Sequence, residues 1–192
     1  FLKSQYHPHF LFNALNTVYF QIDESNKAPR RTLEMISELL RYQLYGGNQK
    51  VSILQEIDYL KTYIALRKLR MSERLRLRVE FPPELNELNI YPLLFLPLVE
   101  NAFKYVGGDY QLDIIMKWEN NRISLFIRNS IPELSAEDEA LRKSVDERQR
   151  KGIGLVNLRR RLSLLYPNKH RLETRKEETE FVAELMIEIE DI

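Results

Sequence analysis

The sequence predicts an α+β protein in two parts, a helical first third followed by a layer of strands and helices. Three observations carry this. From Phe1 to about Ser72 the apolar residues recur at i, i+3, i+4 and i+7, the spacing of helices with one buried face. From about Glu73 a period of two takes over, clearest where Leu75, Leu77, Val79 and Phe81 alternate with Arg76, Arg78 and Glu80. Glycine and proline are sparse, 6 and 8 in 192 residues, as in a packed globular chain rather than a fibrous or disordered one.

The first helix is expected through Leu11, Ala14, Leu15, Val18 and Ile22, and the polar stretch Asp23 to Pro29 ends it. A second follows through Leu33, Ile36, Leu39, Leu40 and Leu44, stopped by Gly46-Gly47. Ser52 offers an N-cap with Gln55 three residues on, a capping box for a third helix carrying Ile53, Ile57, Leu60, Ile64 and, at its far end, Leu69. Three such helices make a small core, so a four-helix-type dimer is the expected way to cover their stripes.

In the remainder, a half-buried strand over 74–81 ends at Pro82-Pro83. Tyr91 to Val106 reads as a helix entered through Pro92. Strands over 111–119 and 122–129 are joined by an Asn120-Asn121 hairpin turn. Residues 131–151 show no buried face and read as a loop. Gly152-Ile153-Gly154 opens a helix running to Tyr166-Pro167, and strands follow near 171–176 and 180–190. An antiparallel sheet with helices on one face is the expected assembly. The domain boundary is expected between residues 72 and 73.

Composition narrows the function. Lys plus Arg is 29 and Asp plus Glu 28, a net charge of +1, which argues against a dedicated nucleic-acid binder. The run Arg159-Arg160-Arg161 does not change this, because successive helical residues point about 100° apart. Without cysteine there are no disulfides, thiolate metal sites or cysteine nucleophiles. No apolar run approaches the roughly 18 residues of a membrane span. The chain opens on Phe1, so a longer protein is expected, with any membrane segment lying upstream of this cytoplasmic portion.

Three constellations can carry chemistry. In Gln5 to Asn16, a helix aligns Gln5, His9, Asn13 and Asn16 as one polar stripe, about 200° from Leu11 for His9. Pro8 starts the helix, and an exposed imidazole, neutral at pH 7, has a ring nitrogen free for nucleophilic attack. His7 and His9 diverge on a helix, so they do not form a metal pair. In Leu98 to Tyr105, helical spacing gathers Glu100, Asn101, Lys104 and Tyr105. That face presents a carboxylate, an amide oxygen suited to Mg²⁺ and an ammonium suited to phosphate. In Gly152 to Asn157, the glycines let backbone N–H groups approach a phosphate at a helix N-terminus. Each also has a plainer reading: a surface imidazole, a surface ion pair, a tight turn.

In order, His-Pro-His-Phe-Leu-Phe-Asn, Leu-Val-Glu-Asn-Ala and Gly-Ile-Gly-Leu-x-Asn-x-x-x-Arg-Leu resemble the LytS-type sensor histidine kinases of bacterial two-component systems, over essentially the whole chain. Arg41-Tyr42, Tyr63 and Pro97 to Asn101 add to the likeness. The resemblance implies a helical dimerisation and phosphotransfer region at 1–72 and a gyrase/Hsp90-like ATP-binding α/β sandwich at 73–192. It implies that His9 is phosphorylated from ATP and that Asn101 holds Mg²⁺. It further implies that Lys104, Tyr105, Gly152, Gly154, Leu155 and Asn157 line the nucleotide site. The group would pass to an Asp of a response regulator's receiver domain, and the chain would be a homodimer through its N-terminal helices. Glu100 is the first candidate to orient His9, with Gln5 or Asn13 second; Asn13 also suits positioning of a water for dephosphorylation of that regulator.

Two departures stand out. Where the adenine-reading strand of this fold ends in Asp followed by Gly-x-Gly, the chain has Asn129-Ser130-Ile131-Pro132. Asn129 still accepts a hydrogen bond from the adenine amine, but a neutral amide is the weaker acceptor. Many relatives carry His-Gly after the Lys; here Tyr105-Val106 follows, with Gly107-Gly108 displaced. Two other classes therefore stay open: a degenerate kinase acting as a dimerisation or binding module, and a gyrase- or Hsp90-like ATPase or anti-sigma-type serine kinase using only the second half.

Overall fold

The computed structural model describes residues 8–45, 49–83, 85, 88–133 and 153–189. Contacts divide the chain into two units, one containing the residues up to Met71 together with Asn89–Pro92, the other Ser72–Leu88 and the residues from Leu93 on. The short return at Asn89–Pro92 has no counterpart in the single boundary expected from sequence.

The first unit holds α1 (Pro8–Gln21), α2 (Lys27–Tyr45), β1 (Val51–Ser52), α3 (Ile53–Lys68) and β3 (Asn89–Ile90), with β1 and β3 antiparallel. The capping box is present: Ser52 Oγ accepts from the Leu54 N–H at 3.2 Å, and Gln55 Oε1 accepts from the Ser52 N–H at 3.1 Å. The core is built on α3, where Ile53, Ile57, Leu60 and Ile64 are buried with Leu39 and Ile90. Within the same face lies Glu56, fully buried, accepting from Tyr42 Oη at 2.7 Å. The expected buried stripe of α1 does not form: no residue of α1 is buried, and Val18 is 46% exposed. The helix meets α2 along one side only, through a Phe12–Tyr45 stack and a Tyr19–Glu34 hydrogen bond. The stop expected at Gly46-Gly47 lies outside the described residues, although α2 does end at Tyr45.

The second unit is a five-stranded sheet, β2 (Arg76–Glu80), β4 (Gln111–Glu119), β5 (Arg122–Ser130), β7 (Glu180–Glu188) and β6 (His170–Lys176), in the order β2-β4-β5-β7-β6. It is mixed rather than wholly antiparallel, because β2 runs parallel to β4. The chain leaves β2, passes through α4 (Leu96–Tyr105), and re-enters the sheet alongside it, the route a parallel neighbour needs. The helix α5 (Ile153–Leu165) packs on α4 and β6, and α4 packs on β4 and β5. One face of the sheet supplies Leu112, Ile114, Met116, Ile123, Leu125, Ile127, Leu185 and Ile187. Leu98, Val99, Ala102 and Phe103 of α4 and Leu158 and Leu162 of α5 complete that core.

The hairpin turn forms as expected, with Asn120 and Asn121 both at positive φ, 52° and 58°. The helix read over 91–106 is shorter and starts at Leu96. Two prolines compete for its first turn, and Pro97 wins: a helix from Pro92 would place Pro97 in its interior, where it has no N–H to donate. Residues 92–95 instead turn, with Leu93 at φ 58°.

Candidate functional site

In the first unit the site is the N-terminal end of α1. Pro8 is the first helical residue, where the missing N–H costs nothing. His9 follows and is exposed, on the side expected from its angle to Leu11. Asn13, one turn on, is exposed too, and its Nδ2 lies 3.1 Å from His9 Nδ1. Asn16 is exposed further along the stripe. Phe10, beside His9, is 74% exposed. Gln5 and His7 lie outside the described residues.

In the second unit α4 presents the expected residues by its phase. With Leu98, Val99, Ala102 and Phe103 turned into the core, Glu100 and Lys104 are exposed and Asn101 and Tyr105 half-buried. The Lys104 ammonium sits 5.0 Å from the centre of the Tyr105 ring, a cation–π contact that holds the amine over one side of the helix end. Asn129 is at the end of β5 and fully buried. Its Nδ2 donates to the Ser130 carbonyl at 3.2 Å, while its Oδ1 has no hydrogen-bond partner among the described residues. A buried, unmet acceptor costs roughly 1–3 kcal/mol unless a donor arrives, so this oxygen suits an incoming N–H group.

The α5 terminus is legible in part, because Gly152 lies outside the described residues. Gly154 is exposed in the first turn, and a Cβ placed on it would meet nothing within 4 Å among the described residues. Its lack of a side chain is therefore not required by packing against the described residues. Leu155 is half-buried and Asn157 exposed.

One part of the site was not foreseen. The Ser130–Pro132 segment, in place of glycines, is clamped to the turn after α4. Ser130 Oγ donates to the Gly107 carbonyl at 2.6 Å and accepts from the Gln111 N–H at 2.9 Å, and the Gly107 N–H donates to the Ser130 carbonyl at 3.0 Å. The displaced Gly107-Gly108 pair thus serves this approach; Gly108 is at φ 60°. Beside it, Asp113, almost fully buried, receives Arg128 Nε and Nη2 at 3.0 and 2.7 Å, and that hydrogen-bonded carboxylate raises the Arg128 pKa. His170 begins β6 half-buried, its Nδ1 2.7 Å from the Tyr166 carbonyl.

The comparisons bear on both units. A family model described as histidine kinase matches residues 1–75. The sensor protein kinase HptS of Staphylococcus aureus, strains USA300 and NCTC 8325, is 28% identical over 176 residues, covering 89% of this chain. The chain spans about a third of the length of those relatives, 34%. Among solved structures, the Acinetobacter baumannii histidine kinase AdeS is 13% identical with a TM-score of 0.47, covering 96% of each chain. The mycobacterial sensor histidine kinase MprB is 13% identical with a TM-score of 0.48, covering 76% of this chain and 99% of its own. No helix among the described residues is long and apolar enough to cross a membrane. The stretch that matches the histidine kinase model is the one that carries His9.

Proposed function

We propose that this chain is the phosphoacceptor and ATP-binding portion of a LytS-type sensor histidine kinase, with residues 1–72 and 73–192 as its two functional regions. The observation that carries the reading is an exposed imidazole, His9, on a proline-started helix within the stretch that matches the histidine kinase family. A neutral ring there has a nitrogen able to attack the γ-phosphorus of ATP, and positioning with charge neutralisation supplies most of the rate. Asn129 Oδ1 would accept from the adenine amine, Lys104 would meet phosphate, and Gly152, Gly154, Leu155 and Asn157 would line the phosphate site. Tyr105 backs the Lys104 amine. Asn101 would hold Mg²⁺ through its amide oxygen; when bound, the metal neutralises phosphate charge. Glu100, exposed on α4, is the candidate to orient His9, and Asn13 the candidate to position water during dephosphorylation.

The phosphoryl group would then pass to an Asp of a response regulator's receiver domain. The protein would be a homodimer through the N-terminal helices and the cytoplasmic portion of a membrane sensor whose span lies upstream. The test is incubation with γ-labelled ATP and Mg²⁺. Acid-labile, alkali-stable label, lost in His9→Gln and kept in His7→Gln, is the expected result; label at full level in His9→Gln would end the assignment. A second reading, a binding module without transfer, is favoured by the Ser130–Pro132 clamp, which occupies the place of the flexible glycines. Titration with a nucleotide analogue, with and without Mg²⁺, separates the two, since the module reading predicts no binding.

A further inference from the structure

We propose that the Asn13 carboxamide sets the tautomer of the His9 imidazole and so decides when Nε2 can act as a nucleophile. This rests on His9 being the phosphoacceptor. Asn13 Nδ2 stands 3.1 Å from His9 Nδ1, one helical turn away, with both side chains exposed. The next hydroxyl, Thr17 Oγ1, donates to the Asn13 backbone carbonyl at 2.9 Å and so does not compete for the amide. Phe10, adjacent to His9, has no polar group to offer.

A neutral imidazole has one N–H and one lone pair, and the group bonded to one nitrogen fixes the state of the other. With the amide NH₂ facing Nδ1, that nitrogen accepts, the proton resides on Nε2, and Nε2 has no lone pair for attack. Rotation of the amide about χ2, a broad torsion, turns Oδ1 to the ring. Nδ1 then carries the proton and donates it to Oδ1, and Nε2 presents its lone pair to solvent.

Each orientation serves one stage of transfer. In the carbonyl-facing state, the Nε2 lone pair forms a bond to the γ-phosphorus. The bond from that phosphorus to the bridging oxygen breaks, its electron pair leaving with ADP. The ring becomes a phosphoimidazolium whose Nδ1–H is already donated to Asn13 Oδ1, which partners the new positive charge. Loss of that proton to solvent leaves a lone pair on Nδ1, and the amide turns its NH₂ to donate to it. A carboxamide, with an NH₂ and a carbonyl on one rotor, is suited to both stages; a carboxylate accepts only.

The chain has 3 histidines, so the ring nitrogens can be followed one by one in ¹⁵N-histidine-labelled protein, with His9→Gln assigning the signals. Spectra are taken without nucleotide at about pH 8. Asn13→Asp is expected to hold His9 as the Nδ1–H tautomer, and Asn13→Leu to return it to the Nε2–H-rich mixture of a free ring. The initial labelling rate from γ-labelled ATP is expected to fall at least about tenfold in Asn13→Leu at an unchanged KM for ATP, with most of it recovered in Asn13→Asp. The same tautomer populations in wild type and both variants would overturn the proposal, as would wild-type labelling in Asn13→Leu. Wild-type protein that takes no label, or label kept in His9→Gln, would instead remove the phosphoacceptor reading, while the nucleotide-free spectra still decide whether Asn13 governs the ring.

Discussion

Replacing Gly107 by Ala tests whether the clamp at the end of β5 is as tight as its geometry implies. Gly107 is buried, and an added Cβ would stand 2.8 Å from Pro132 Cδ and 3.3 Å from Pro132 Cγ. Real Cβ contacts do not reach 2.8 Å, and a proline ring has no rotamer by which to swing aside. Either the ring or the Gly107–Ser130 hydrogen-bond pair must move. Ala lowers the entropy of the unfolded chain, a gain of about 0.4–1 kcal/mol where the site accepts it. Overpacking costs about 1–3 kcal/mol, so the net is a loss of about 1–2 kcal/mol. Trp118 on β4 is the 1 tryptophan of the chain, and its fluorescence during urea unfolding reports the sheet unit. With a slope of about 1–3 kcal/mol per molar urea, the midpoint should drop by roughly 0.5–1 M at an unchanged slope. A midpoint equal to or above wild type would refute the reasoning, since it would mean that the Ser130–Pro132 approach yields freely.

Gly154→Ala makes the opposite expectation: stability is kept or raised by up to about 1 kcal/mol, because Ala is the better helix former and meets no neighbour, while calorimetric affinity for a nucleotide analogue falls. Undiminished affinity would remove Gly154 from the phosphate site. Tyr42→Phe deprives the buried Glu56 Oε2 of a 2.7 Å donor and should cost about 1–3 kcal/mol in a thermal melt; an unshifted melt would show that Glu56 does not depend on it. Asp23, in the turn between α1 and α2, accepts from the Ser25 hydroxyl and N–H, and these hold its carboxyl below the usual aspartate range. A depressed carboxyl stabilises the fold above its unfolded pKa and loses that contribution as pH falls through the folded value. The Ser25 amide signal should therefore move only at a pH below the range of an ordinary aspartate; a midpoint at or above that of an unstructured aspartate peptide contradicts the bond.

Local chemistry was readable where it acts within a few residues. The Ser52–Gln55 box and the Asn120-Asn121 turn follow from side chains meeting their own backbone, and both formed as expected. Period-two alternation located the strands for the same reason, since it needs only one buried face. What the sequence could not convey depends on distant partners. The two-residue pair β1–β3 is too short for any periodicity, and the parallel course of β2 is set by how the chain returns through α4. Glu56 carried a signal that was available: it lies three residues after Ile53 and one turn before Leu60, on the stripe that must be buried, so a donor such as Tyr42 was required. In the candidate site, the phase of α4 gave the exposure of Glu100 and Lys104 correctly. The Ser130–Gly107 clamp was illegible, because its hydroxyl and carbonyl are 23 residues apart.

The surface of α1 reconciles two demands on one short helix. At 14 residues it is near the length at which an isolated helix is only marginal in water, and none of its side chains is buried. Phe12 and Tyr19, half-buried, touch α2 at Tyr45 and Glu34. Phe10, Ala14 and Val18 recur at i, i+4 and i+8 as a second apolar stripe, and all three are exposed. At about 100° per residue, that stripe is centred well over a quarter turn from the His9, Asn13 and Asn16 stripe. The proposed homodimer can therefore cover Phe10, Ala14 and Val18 and supply the burial α1 lacks, without closing over the imidazole that has to remain reachable.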